Sequence, residues 1–354
     1  MQPKIYQLGD GGIPTTTGAT DLSDRLPSVE FGHGSMWGPL SARISWTGTL
    51  DEGFYAADSW LGAGVDLWSP DGAWLWEGQV RTIEWGAGRR RRTRSLEGYA
   101  NRVRVHTSSG AVVVADDTAG QARYGVIEYQ HSAGTADAST LSALAARVLA
   151  ERSRLFSLPG SGSIPDNDPG AATITLECAG WYVALGNQAY LPSDSTSISI
   201  STLITAMLDT LAPFLSSDRS QIEPVAQLTT RQLDYYETPR EIIKRVVGEI
   251  ESGYVFGVGP GRVPYLRPSQ RMVARPTYTE QTDGKIFDAS GSMVAPWLVR
   301  PDTIIRQQDF APASAVTTAA IDAIENVYVV STSYRDGTVD YESAVAGVLG
   351  EISG

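Results

Sequence analysis

One cysteine, Cys178, is present in 354 residues. A lone thiol excludes an intramolecular disulfide framework and any metal site built from several cysteines. It ends the run Thr173-Ile174-Thr175-Leu176-Glu177-Cys178, where a small buried apolar residue fits better than a nucleophile. Histidine is almost as scarce: His33, His106 and His131 are isolated from one another, and no spacing offers a metal two ligands on one helix. There is no Gly-x-Ser-x-Gly elbow to present a serine, and no glycine-lysine loop to cradle a phosphate. The sequence therefore reads as having no catalytic residues, no metal and no cofactor. Asp166-Asn167-Asp168 lacks the glycine and distal glutamate of a calcium loop. Only a pair of carboxylates meeting from distant positions stays open as chemistry.

Long apolar runs are missing as well. Nothing approaches the ~18 consecutive apolar residues of a membrane span. Met1-Gln2-Pro3-Lys4-Ile5-Tyr6 has no secretion-signal pattern, so folding in a cytoplasm is expected. Basic residues are outnumbered, 28 against 40 acidic, for a net charge of -12. That balance argues against a surface that coats nucleic acid. What the chain does have is glycine (36), proline (19) and tryptophan (9), with 42% hydrophobic residues. This suits a turn-rich β protein with sizeable cores, and the length suits two to four compact units.

The clearest local pattern is a β-meander. Val65-Asp66-Leu67-Trp68 leads through Ser69-Pro70-Asp71-Gly72 into Ala73-Trp74-Leu75-Trp76-Glu77-Gly78 and on to Trp85, a second glycine turn and Ser95-Leu96-Glu97-Gly98-Tyr99. Proline second and glycine fourth suit a tight turn between two apolar runs. Ordered strands are expected from about Ser41, after an extended N-terminal arm over residues 1–30. Three helices are marked. Leu141, Leu144, Ala145, Val148 and Leu149 keep helical spacing behind the cap candidates Asp137 and Ser139. Ser201 is placed to cap Thr202–Leu211, which Pro213 stops. Thr238-Pro239-Arg240-Glu241 is a capping box for a helix that Gly253 ends, and Tyr254–Pro268 then reads as a hairpin. Two echoes, Asn101–Gly110 with Asn326–Gly337 and Leu96–Tyr99 with Leu176–Tyr182, fit a chain built from related β units. The expected fold class is mainly β, of the α+β kind.

Two features invite contact with something else. Arg89, Arg90, Arg91 and Arg92 form a run with Arg94 beyond it; in strand register Arg90, Arg92 and Arg94 share a face. The run reads either as a basic hairpin tip gripping an acidic neighbouring subunit or as a solvated turn, with DNA contact a third role. Seven of the nine tryptophans lie between Trp37 and Trp85. They suit a core or a subunit interface better than a sugar-stacking platform.

The meander Val65–Tyr99, the segment from Ala115-Asp116-Asp117 to Arg123-Tyr124-Gly125, the stretch Leu203–Glu223, Thr238–Ile250 with the Tyr254–Pro268 hairpin, and Asn326–Gly350 together resemble bacteriophage tail hub proteins. The resemblance rests on the order of these segments. It implies tube-like β-barrel domains with a mixed α/β insertion. The units drawn from it are an arm (1–30), a barrel's first part (31–105), an inserted β/α domain (106–200), helices plus a hairpin (201–270) and a second β unit (271–354) completed by C-terminal strands. It also implies a homotrimer at the tail tip of the virion, made in the host cytoplasm, joining a six-fold tail tube or distal ring to a three-fold tip. The implied partners are the distal tail ring, the tail tube or tape measure, a tip spike or fibre, and DNA that passes without sequence-specific binding. No catalytic residues come with it. The alternatives are a hexameric distal-tail adaptor and, in another class, a carbohydrate-binding or carbohydrate-cleaving β protein.

Overall fold

A computed structural model describes residues 1–7, 18–34, 36–87, 90–134, 137–155, 157–158, 171–191, 197–230, 237–250, 253–268, 277–281, 285–301, 303–308, 324–335 and 338–345. The chain begins with β1 (Gln2–Tyr6), β2 (Thr20–Asp21), β3 (Ser28–Gly34), β4 (Gly38–Gly48), α1 (Leu50–Ser59), β5 (Gly64–Trp68), β6 (Trp74–Ala87) and β7 (Arg90–Ser95). It continues through β8 (Arg102–His106), β9 (Val112–Asp116), α2 (Thr118–Tyr124), β10 (Glu128–Ser132), α3 (Ala138–Arg152) and β11 (Ser157–Leu158). Next come β12 (Ala172–Gly180), β13 (Ser197–Ser199), α4 (Ile200–Leu211), β14 (Leu228–Thr230), α5 (Pro239–Gly248), β15 (Tyr254–Val258) and β16 (Pro264–Pro268). The last strands are β17 (Thr277–Glu280), β18 (Ile286–Phe287), β19 (Ile304–Gln308), β20 (Ile324–Arg335) and β21 (Thr338–Val345). The protein is mainly β with α+β character, as its sequence predicts.

Fourteen strands make one sheet, in the order β18-β17-β19-β20-β3-β4-β12-β6-β5-β1-β2, with β7 beside β6, β11 on β7 and β21 on β20. The meander is its organiser. Gly72 at φ 83° closes the turn, its N–H bonding the Ser69 carbonyl at 3.0 Å, and the Ser69 hydroxyl accepts from the Ala73 N–H at 2.8 Å. What reads in sequence as two runs, 73–78 and 79–85, is one strand of 14 residues, because no residue between them breaks the extended backbone. Ile44, Trp46, Leu67, Leu75, Trp76, Ile83, Ile174 and Leu176 pack into the largest core.

β12 lies between β4 and β6, antiparallel to both, although it starts 85 residues after β6 ends and 124 after β4 ends. The intervening chain forms its own layer: β10-β8-β9 with α3 packed on it through Val103, Val105, Leu141, Ala145 and Val148. A third core unites α4 and α5 with the β15–β16 hairpin around Ile204, Met207, Ile243, Phe256 and Leu266. A small fourth one gathers Ile286, Val294, Val299 and Ile305.

Several expectations need correction. Residues 2–6 are not an arm: β1 pairs with β5, and Ile5 and Tyr6 are buried, because the edge of β5 offers them both hydrogen bonds and apolar cover. Residues 8–17 of the expected arm, the Asp166–Asp168 loop and 346–350 lie outside the described residues. Five α-helices stand among the described residues where three were expected. α1 is announced by a capping box, Thr49 with Glu52, and α2 by the Asp117 cap. Ser199, and not Ser201, caps α4: it is the last extended residue, and Ile200 behind it is already buried in the core. α5 stops at Gly248, before Gly253, whose N–H bonds the Ile250 carbonyl. The caps Asp137 and Thr238–Glu241 are as expected. Of the echoes, β8–β9 and β20–β21 are both antiparallel hairpins, whereas Leu96–Tyr99 is a turn and Leu176–Tyr182 is mostly strand.

Candidate functional site

The face of the main sheet opposite its core is polar, and its side chains are ordered by register. Arg335 on β20 faces Glu30 on β3, Glu30 faces Arg43 on β4, Arg43 faces Glu177 on β12, and Glu177 faces Thr82 on β6. Charge therefore alternates across the strands, positive, negative, positive, negative, before ending in a hydroxyl. Directly opposed residues on neighbouring strands stand close enough to interact, and Arg335 meets Glu30 at 3.0 Å. Beside this row the Ser45 and Thr175 hydroxyls bond at 3.0 Å, and those of Thr82 and Ser95 at 2.6 Å. A trough of about 730 Å³ lies over the face, lined among others by Glu30, Arg43, Arg81, Glu177, Ser333 and Asp340. A β-bulge between Glu177 and Cys178 turns Arg81 into this trough. The strict alternation of β4 (Ala42, Ile44 and Trp46 buried; Ser41, Arg43 and Thr47 exposed) is what makes the face.

The arginine run sits at one side of the sheet. Arg89 lies outside the described residues, and Arg90 opens β7. The expected register holds for the next two: Arg92 lies over the Phe54 ring, 4.8 Å from its centroid, and Arg94 pairs with Asp58. Both partners belong to α1, so these two cations fasten the chain's own helix to β7. Arg91, on the other face, is exposed.

The aromatic cluster is largely interior. Trp46, Trp60, Trp76 and Trp85 are buried, and Gly53 of α1 is a glycine because Trp85 fills the space its side chain would need. Trp37 stacks on Tyr182 at 5.3 Å. A sugar platform needs open ring faces, and these four rings have none. Cys178 is buried, and burial pushes its thiol far above the usual value, as its apolar run suggests. His33 is buried as well. Its Nε2 lies 2.7 Å from the Leu75 carbonyl, and burial together with the nearby Arg300 guanidinium holds its pKa down at about 4.

One pair of carboxylates does meet. Asp66 on β5 is the register partner of Glu77 on β6. The Tyr6 hydroxyl donates to Asp66 Oδ1 at 3.1 Å and lies 3.5 Å from Glu77 Oε1. Glu77 is only 5% exposed and is met by Arg262 Nε at 3.2 Å. Burial, with Asp66 adding to it, pushes the Glu77 carboxyl up to about 7, and burial raises Asp66 too. Neither carboxylate lines the trough or the smaller cavity of about 240 Å³ between Tyr124, Leu185 and Phe214.

No family model and no curated protein sequence matches the chain. Solved structures do. It is similar to the tail protein from Neisseria meningitidis MC58, at 7% identity and a TM-score of 0.43, over 97% of this chain and 95% of that one. It is similar to the prophage tail protein gp18 from Listeria monocytogenes EGD-e, at 8% identity and a TM-score of 0.41, over 100% of this chain and 98% of that one. It is also similar to the 43 kDa tail protein of prophage MuSo2 from Shewanella oneidensis, at 9% identity and a TM-score of 0.36, covering 97% and 98%. All three are described as tail proteins.

Sequence reasoning singled out the arginines and the tryptophans, and the structure turns most of them inward. It missed the charge row, because Glu30, Arg43, Glu177 and Arg335 are ordinary strand residues until the pairing of β20, β3, β4 and β12 is known. It missed Asp66 and Glu77 for a weaker reason. The Ser69–Gly72 turn already implied the register that sets them face to face.

Proposed function

We propose that the chain is a structural protein of a bacteriophage tail, without enzymatic activity, and that three copies form a hub whose polar sheet faces wall the DNA passage. The observation that carries this reading is the alternating charge row on one face of a sheet whose other face is apolar. A DNA duplex is held by cations that displace its counterions. On this face Arg335 and Arg43 stand opposite Glu30 and Glu177, so phosphates meet no excess of positive charge, and hydroxyls keep the surface hydrated. Such a wall lets DNA slide without sticking. The net charge of -12 adds a repulsive background, and the order of hub-like segments along the sequence supports the same assignment. In this reading exposed Arg91, with Arg89 and Arg90, faces an acidic neighbouring subunit, and the virion tail tip is the place of action.

The test is the mass of the purified chain by light scattering after size exclusion. Three times 38.0 kDa supports the hub. A hexamer moves the assignment to a distal-tail ring adaptor. A monomer at high concentration counts against both rings and makes glycan binding the next measurement.

A further inference from the structure

We propose that β9 is a docking edge for a second copy of this chain, joined strand to strand about a two-fold axis through Val114. β9 is an outer strand of the three-stranded layer β10-β8-β9. Its register on β8 sets which way each peptide points. The Thr107 N–H bonds the Ala111 carbonyl at 3.0 Å, and the Asp117 N–H bonds the Asn101 carbonyl at 2.8 Å. By antiparallel alternation Val113 and Ala115 therefore turn their N–H and C=O groups to β8, and Val112, Val114 and Asp116 turn theirs outward. Among the described residues no backbone group pairs with those outward ones. The layer's other edge is occupied at Glu128, whose N–H bonds the Asn187 carbonyl at 2.6 Å.

An open edge is a template for another strand, and proteins guard it with charge, proline, a bulge, a cover or brevity. The main sheet does so. Its path ends in the two-residue strands β18 and β2, β7 carries its arginines, and β21 carries Asp340 and Glu342. β9, Val112-Val113-Val114-Ala115-Asp116, has no lysine, proline or bulge. Val112 and Val114 are 41% and 40% exposed, and on the opposite face Val113 and Ala115 are only partly buried against the core under α3. Its one charge, Asp116, is already met by Arg102 Nε at 2.6 Å.

The edge is complementary to itself. With two copies antiparallel, Val114 lies opposite the same residue of the other copy, Val112 opposite Asp116 and Asp116 opposite Val112. All three outward residues then exchange hydrogen bonds, about six in all. A slide of two residues leaves Val112 or Asp116 of each copy unpaired. Across the joint Val113 meets Ala115, large against small, and the exposed valines make one apolar strip. The two Asp116 carboxylates stay at opposite ends, each on its own Arg102. The product is a six-stranded sheet with both α3 helices on the same face. A joint of this size is smaller than a standard interface, so the association is concentration-dependent. It uses neither the arginine run nor the main sheet, so it does not depend on the tail reading, and its failure leaves that reading as it stands.

The test is amide hydrogen exchange of the full chain, resolved by residue, at a low and a high protein concentration, with mass by light scattering beside it. The N–H groups of Val112, Val114 and Asp116 are expected to slow by about tenfold at high concentration, while those of Val113 and Ala115 are slow at both. Val114→Lys sets two like charges against each other on the axis. It is expected to abolish the slowing and to halve the mass reached at high concentration, whatever number of copies a ring contributes. Val114→Thr, which keeps a β-branched strand former, is expected to retain both. Exchange at the three positions that ignores concentration overturns the proposal and leaves the edge for a strand of another protein. A folded lysine variant whose mass equals the wild type's overturns it too, and assigns the association to another face. The concentration series needs only the wild type, so it decides even if the lysine variant does not fold.

Discussion

Two buried titratable groups pull the pH dependence of this protein in opposite directions. His33 is held near 4, below its ordinary 6.5, by burial and by Arg300. The unfolded chain therefore binds more protons than the folded one between those values, and this contribution is complete above 6.5 and lost as pH falls through 4. Glu77, raised to about 7, works the other way. The windows overlap, so each needs its own variant. His33→Gln, which retains a donor for the Leu75 carbonyl and does not titrate, is expected to abolish the acid-side loss, on the order of 3 kcal/mol for a shift of this size; thermal midpoints measured from about pH 7 down to 4 check it. A midpoint that still falls as steeply in the variant removes His33 from the account. At this scale the sequence was informative about Cys178, which in an apolar run reads as buried and is. It was silent on what burial does to His33, because no local pattern marks a histidine whose ring meets Trp74 of β6 as well as Phe31 of its own strand.

Elements with a cap or a tight turn were legible, and elements held by distant partners were not. Thr238–Glu241 and Asp137 announced α5 and α3, since a cap satisfies its own helix's free N–H groups locally. β1 reads as an arm in the sequence because its five residues carry no period of their own until β5 lies beside them. The charge row is the functional counterpart of that blindness. Its prediction is direct: Glu30→Lys with Glu177→Lys leaves four cations in a row, Arg335, Lys, Arg43 and Lys. Salt-dependent binding of a DNA duplex, absent in the wild type, is expected in the double variant by electrophoretic shift. Stability is expected to fall by about 1 kcal/mol from like charges facing across strands. An unaltered lack of DNA binding would mean that this face does not control attraction to DNA.

Across the whole molecule the longest reach is β20, whose Arg335 pairs with Glu30 and whose Ser331 pairs with Gly34 of β3. The edge of β3 is covered by chain some three hundred residues later. A protein ending at residue 323 is expected to present that edge bare and to self-associate, which an apparent mass rising with concentration would reveal. If it stays at one mass, the edge is covered otherwise. That two segments three hundred residues apart share a sheet leaves no signature in local sequence.

The path between β7 and β12 carries a different lesson. The chain leaves the main sheet after Ser95 and comes back at Ser157, which is paired with Arg94; between them β8, β9, β10 and α3 build a separate layer with its own core, while Leu96, Tyr99, Tyr124 and Ile127 stay packed in the main one. Departure and return are adjacent, like the two sides of a socket. The part that the main core does not hold, β8 to β10 with α3, is therefore the part whose length or shape could change while Leu96, Tyr99, Tyr124 and Ile127 keep the frame.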